Sequence, residues 1–104
     1  MTRIAFKMYL KLGCVEEYKR RHDLLWPEIK QLLATEGICD YSIFLDEAKN
    51  ELFAVQKISG EGNSQNLGSN PINQRWWDYM ADISVVNPDN SPITEPLLEV
   101  FHLD

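Results

Sequence analysis

At Gly13 the hydrophobic period of the chain changes, and that change constrains the fold more than any other feature. Upstream, Ile4-Ala5-Phe6-Lys7-Met8-Tyr9-Leu10-Lys11-Leu12 alternates: Ile4, Phe6, Met8, Leu10 and Leu12 share one face, while Ala5, Lys7, Tyr9 and Lys11 share the other. Period two is the signature of a half-buried strand. Downstream, Val15, Tyr18, His22, Leu25, Ile29 and Leu32 step by three and four, which makes one stripe along a helix. Glu16 and Glu17 in the first turn suit the helix dipole, and Gly37 suits the position after the last turn. Pro27 lies inside this stripe. It removes a hydrogen bond there, and its ring collides with the carbonyl four residues back, that of Asp23. The spacing therefore predicts a kink or restart between His22 and Trp26, with Asp23 a candidate cap and His22 at the bend.

Tyr41 to Leu45 reads as a short strand, Asp46 to Asn50 as a polar turn, and Leu52 to Ile58 as the returning strand of a hairpin. Ser59 to Asn70 is rich in Gly, Ser and Asn, with a short helix expected around Gln65 to Leu67. Ser69 or Asn70 before Pro71 marks a helix start, and Ile72, Trp76, Met80 and Ile83 follow at helical spacing. Asn87-Pro88-Asp89-Asn90-Ser91-Pro92 is a turn cluster, and Leu97 to Leu103 is expected to be a terminal strand. The order is β-α-β-β-α-β, the ferredoxin-like arrangement of the α+β class, in one domain spanning 1–104. Helices then cover one face of the sheet. The other face, expected to carry Tyr9, Tyr41 or Phe44, must meet a second copy or a ligand.

Composition narrows the function classes. With 16 acidic against 10 basic residues the net charge is −6, which opposes a nucleic-acid footprint and gives no polybasic membrane patch. No apolar run reaches the length of a membrane span, and the start of the chain has no secretory signal pattern, so a cytoplasmic protein is expected. The two cysteines, Cys14 and Cys39, form neither a disulfide framework nor a zinc motif. No metal-ligand spacing, phosphate loop or nucleophile elbow is present.

Several residues could carry chemistry. Tyr18 and His22, four apart, are neighbours on one helix face. An imidazole is the side chain best suited to proton transfer near neutrality, so His22 is a candidate general acid, with Tyr18 beside it on a ligand. From spacing alone, a packed helix stripe explains the pair better. Trp76 and Trp77 are about 100° apart on their helix, so one could pack inward while the other lines a pocket. Aromatic faces suit the C–H face of a sugar, though core filling is the usual use. Trp26 reads as a core anchor. Tyr41 is either a packed ring or a hydroxyl on the open sheet face. Asp89 and Asn90 read as turn residues, and His102 as structural or exposed.

Taken together, Glu17-Tyr18-Lys19-Arg20-Arg21-His22 with Trp26-Pro27-Glu28, then Tyr41, Gln74-Arg75-Trp76-Trp77-Asp78-Tyr79-Met80 and Asn87-Pro88-Asp89-Asn90-Ser91-Pro92, resemble the L-rhamnose mutarotase family. The likeness covers nearly the whole chain. It departs from the family at Gly60 to Asn73, which looks loop-like here. The resemblance implies a dimeric α/β-barrel built from two ferredoxin-like domains. It implies interconversion of the α and β anomers of L-rhamnose without a cofactor or metal. His22 would be the proton donor in its protonated form, and Tyr18, Tyr41, Trp76 and Trp77 would contact the sugar. Arg20 and Arg21 would point outward, away from the imidazolium. The alternatives are a mutarotase for another deoxyhexose such as L-fucose, a cofactor-free monooxygenase of the same fold, and a non-catalytic sugar-binding dimer.

Overall fold

A computed structural model describes residues 1–104. The chain runs through β1 (Thr2–Tyr9), α1 (Val15–Asp23), α2 (Pro27–Thr35), β2 (Ile38–Asp46) and β3 (Glu51–Ile58). A 3₁₀ turn (Ser64–Asn66), α3 (Pro71–Met80) and β4 (Glu95–Leu97) follow. The four strands form one sheet in the order β2-β3-β1-β4, and every neighbouring pair is antiparallel. This is the expected α+β fold with its hairpin strand β3 lodged between β1 and β2. No helix is long and apolar enough to cross a membrane.

Pro27 divides the long apolar stripe into two helices rather than kinking one. It occupies the first helical position of α2, where its missing N–H is no loss. The residue before it, Trp26, is extended at φ −60° and ψ 132°, as the proline ring requires. Asp23 caps nothing; it ends α1 and pairs with Lys19 at 2.9 Å. His22 thus sits in the last turn of α1, immediately before the break. The second helix start also follows its sequence signal: the Asn70 side chain accepts from the backbone N–H of Ile72 at 2.9 Å, with Pro71 at the first helical position. At Gly37, φ is +76° and a Cβ would run into the side chain of Ser59, so only glycine makes the turn from α2 into β2.

Strand parity decides which side chains meet the helices. Phe6, Met8 and Leu10 from the first segment and Leu52 and Ala54 from β3 form a core on the helix side. Beyond Leu10 the alternation no longer lies on the sheet, and Leu12 is exposed, because β1 has ended and Gly13 turns the chain. In β2 the register shifts between Cys39 and Ser42, around Asp40 at φ 47°. After this irregularity Tyr41, Ile43 and Leu45 pack against the sheet core. Tyr41 therefore belongs to the helix side, not the open face. The open face carries Ala5, Lys7 and Tyr9 of β1, Phe53 and Val55 of β3, and Phe44 of β2. The terminal strand is short and lies earlier than expected. Only Glu95–Leu97 pairs with β1, and Leu98 to Asp104 continue exposed beyond it.

Candidate functional site

The core is in two parts that do not close on each other. One is the sheet cluster just described. The other, Ile29, Trp76, Trp77, Met80 and Ile83, is built among the helices. Between them lies a cavity of about 560 Å³, lined from both sides. Protein interiors are close-packed, so a gap this large between two cores has the dimensions of a ligand site, not of a packing defect.

His22, Tyr18, Tyr41, Trp76 and Trp77 all line this cavity. His22 and Tyr18 are one turn apart on α1 and their rings stack, with centroids 4.3 Å apart. His22 Nδ1 lies 3.0 Å from the Tyr18 backbone carbonyl. A carbonyl only accepts, so Nδ1 carries a proton and Nε2 is the nitrogen left to whatever enters the cavity. Burial lowers the imidazole pKa below its ordinary value, and the Tyr18 carbonyl and the Asp23 charge only partly oppose that.

The edge of Trp76 meets His22 with centroids 5.5 Å apart, and Trp76 also meets Trp26 at 5.1 Å. Trp77 turns toward the segment after the 3₁₀ turn, where a Cβ on Gly68 would stand 3.0 Å from its ring. Both indoles are buried, at 8% and 6% exposure, and yet both face the gap. The two tryptophans are therefore not divided into one core and one pocket residue. α3 lies between the other two helices and the loop before it, so two directions about 100° apart are both interior.

The two tyrosine hydroxyls stay protonated well beyond neutrality. Burial, with Tyr41 nearby, pushes the Tyr18 phenol up. Burial likewise raises Tyr41, against hydrogen bonding from Ser64 and Gln56. Behind Tyr41 the Gln56 amide, wholly buried, donates to Ser64 Oγ at 2.9 Å and accepts from the Ser64 N–H at 3.0 Å. Ser64 and its neighbour Gln65 also line the cavity. This polar wall was not anticipated. Its signal was Gln56 itself, a polar residue at an inward position of the Leu52-Ala54-Gln56-Ile58 alternation.

Lys19 and Asp23 reach the cavity from exposed positions, already paired with each other. Arg20 points outward and pairs with Glu17 at 2.6 Å. Arg21 is buried, contrary to expectation, although it faces away from the imidazole: it donates to Asp82 at 2.8 Å and to the Tyr79 carbonyl at 2.6 Å. Trp26 packs between Trp76 and Tyr79 as an anchor. The Asp89 carboxylate accepts from the Ser91 N–H at 3.0 Å, which makes it a turn residue. His102 is taken up by Arg3 and Asp104 at the surface. No three His, Cys, Asp or Glu side chains converge to hold a metal ion.

Comparison with known proteins returns a consistent picture. The rhaM family model, described as L-rhamnose mutarotase, matches residues 3–103. The chain is 60% identical to an L-rhamnose mutarotase of Phocaeicola vulgatus and 61% identical to one of Bacteroides thetaiotaomicron, each over 104 residues and the full length of both chains. A crystal structure of L-rhamnose mutarotase from Formosa agariphila superposes with a TM-score of 0.93 at 55% identity, covering 100% of both chains.

Proposed function

The chain belongs to the L-rhamnose mutarotase family and interconverts the α and β anomers of L-rhamnose, and we propose that His22 is the residue that moves the proton. The observation that carries this reading is the convergence of an imidazole with a free Nε2 and four aromatic walls on one cavity. Anomers exchange by ring opening, rotation about the bond from C1 to C2, and closure from the other face. Opening requires the anomeric hydroxyl to lose a proton and the ring oxygen to gain one.

Because burial keeps the resting imidazole neutral, the proton that His22 donates is one it has just taken up. Nε2 accepts the proton of the anomeric hydroxyl, and the C1–O5 bond breaks with its electron pair going to O5. O5 then takes the proton from Nε2, which leaves an open-chain aldehyde and a neutral imidazole. After rotation, the O5 hydroxyl attacks the other face of C1, returns its proton to Nε2, and the former carbonyl oxygen receives it. Both oxygens are bonded to C1, so one nitrogen can reach both. Tyr18 and Tyr41, held protonated, donate hydrogen bonds to sugar oxygens. Trp76 and Trp77 hold the apolar edge of the pyranose and its methyl group.

The same reading makes residues 1–104 a single mutarotase domain that works as a homodimer, the open sheet faces pairing as in a dimeric α/β-barrel. Supporting this, Phe44 is 63% exposed on that face, and the terminal segment exposes Leu98, Val100, Phe101 and Leu103. Both cysteines are free, in keeping with a reducing cytoplasm. The decisive experiment is anomer exchange followed by saturation-difference NMR. His22→Ala should slow enzyme-dependent exchange by about 10²-fold or more while the circular dichroism spectrum is retained. Exchange at the wild-type rate in the folded variant removes His22 from the mechanism.

A further inference from the structure

Gln65 presents the one side-chain carbonyl in the site that is buried without a partner. Its placement is fixed from two directions. Its backbone N–H donates to Asn63 Oδ1 at 2.8 Å, within the capping arrangement that opens the 3₁₀ turn. Its side-chain Nε2 donates to Ser64 Oγ at 3.1 Å, and Ser64 is itself held by the wholly buried Gln56. With the nitrogen end of the amide engaged, Oε1 is turned the other way. A buried carbonyl with no donor is a standing cost to the fold, and such groups are rare in native proteins.

The rest of the wall explains what the carbonyl is for. Tyr18 and Tyr41 keep their protons, so each phenol can donate as well as accept, whereas an indole N–H can only donate. A polyol brings several hydroxyl hydrogens as well as oxygens, so the wall that holds it needs acceptors as well as donors. Gln65 Oε1 is the buried side-chain oxygen of this lining that has no protein partner. It also borders a small chamber of about 60 Å³ shared by His22, Tyr18, Tyr41, Trp76 and Trp77, so it stands beside the residues that would hold the ring.

We propose that Gln65 is a substrate-contact residue whose side-chain carbonyl accepts a hydrogen bond from a ring hydroxyl of the bound sugar. This rests on the reading of the cavity as the rhamnose site. The test compares wild type, Gln65→Met and Gln65→Glu. Rhamnose affinity is read from intrinsic tryptophan fluorescence, thermal midpoint by circular dichroism, and turnover by NMR anomer exchange. Gln65→Met keeps the length and deletes the acceptor together with the Nε2 donor to Ser64, the latter a loss that Gln65→Glu shares. It should weaken rhamnose binding by about five- to tenfold while the midpoint stays at or above that of wild type. Gln65→Glu, which keeps an acceptor, should recover most of the affinity. Unchanged affinity in Gln65→Met overturns the proposal, as does weakened binding in both variants together with a lowered midpoint, the mark of a structural role. If wild type binds rhamnose without speeding exchange, the proton-transfer mechanism fails while the affinity comparison still decides the role of Gln65.

Discussion

His22 donates Nδ1–H to a main-chain carbonyl and has its free nitrogen in a desolvated cavity, and these two facts set its pH behaviour. If the neutral ring starts each turnover, kcat/KM should be level through neutrality. It should then fall by about tenfold per pH unit on the acid side, below a midpoint that lies under the ordinary 6.5. Exchange rates corrected for the spontaneous reaction would show this limb; a rate that climbs on acidification would mean that a resting imidazolium is the donor. Stability follows the same sign. As pH drops through 6.5 the unfolded chain binds the proton before the folded one does, so this residue's contribution declines over that window. The sequence made His22 and Tyr18 legible as neighbours, because helical spacing fixes adjacency. It could not give the charge state, which depends on burial by Trp76 from a helix more than fifty residues away.

α1 has nine residues, too few to hold a helix by its own backbone, so its anchorage comes from tertiary contacts. Arg21 supplies a large share. Only 9% exposed, it bridges Glu17 on its own helix, Asp82 and the Tyr79 carbonyl, and it covers the Tyr79 ring at 4.4 Å. Arg21→Ala should lower the urea-unfolding free energy by about 2 kcal/mol, the order of one charge-assisted hydrogen-bond set. The acid limb carries the same signature. Hydrogen bonds from Arg20 and Arg21 hold the Glu17 carboxyl down to about 2 from 4.5, and Arg21 also lowers Asp82. As pH falls from 4.5 toward 2, the unfolded chain protonates first and the stabilisation is lost. The Arg21→Ala variant should therefore show a shallower acid dependence than wild type. At this scale the sequence was most informative where local chemistry dominates: Asn70-Pro71 marked the start of α3, and Pro27 marked a kink or restart that the structure resolves as the start of α2. It was least informative where strand pairing decides. Nothing local ends β1 before Leu12, puts Tyr41 on the helix side after an irregularity at Asp40, or limits β4 to three residues.

Taken as a whole, the molecule has one face of its sheet covered and one bare. Val55 lies near the middle of the bare face, opposite Ala5 on one side and Ser42 on the other. Sedimentation should give twice the chain mass for wild type, and Val55→Glu, by burying a carboxylate between the paired sheets, should give the single-chain mass without loss of secondary structure. A wild-type monomer at micromolar concentration would break the dimer reading and leave the chemistry of the cavity untouched. The covered side has its own peculiarity. Of the partly buried apolar side chains, only Cys14 and Tyr18 pack against both the sheet core and the helix core. The gap proposed to admit the sugar is thus also the seam along which the fold is least firmly sewn. Breathing should begin there, and a molecule caught mid-reaction, stitched across by its own substrate, should be the stiffest form the chain adopts.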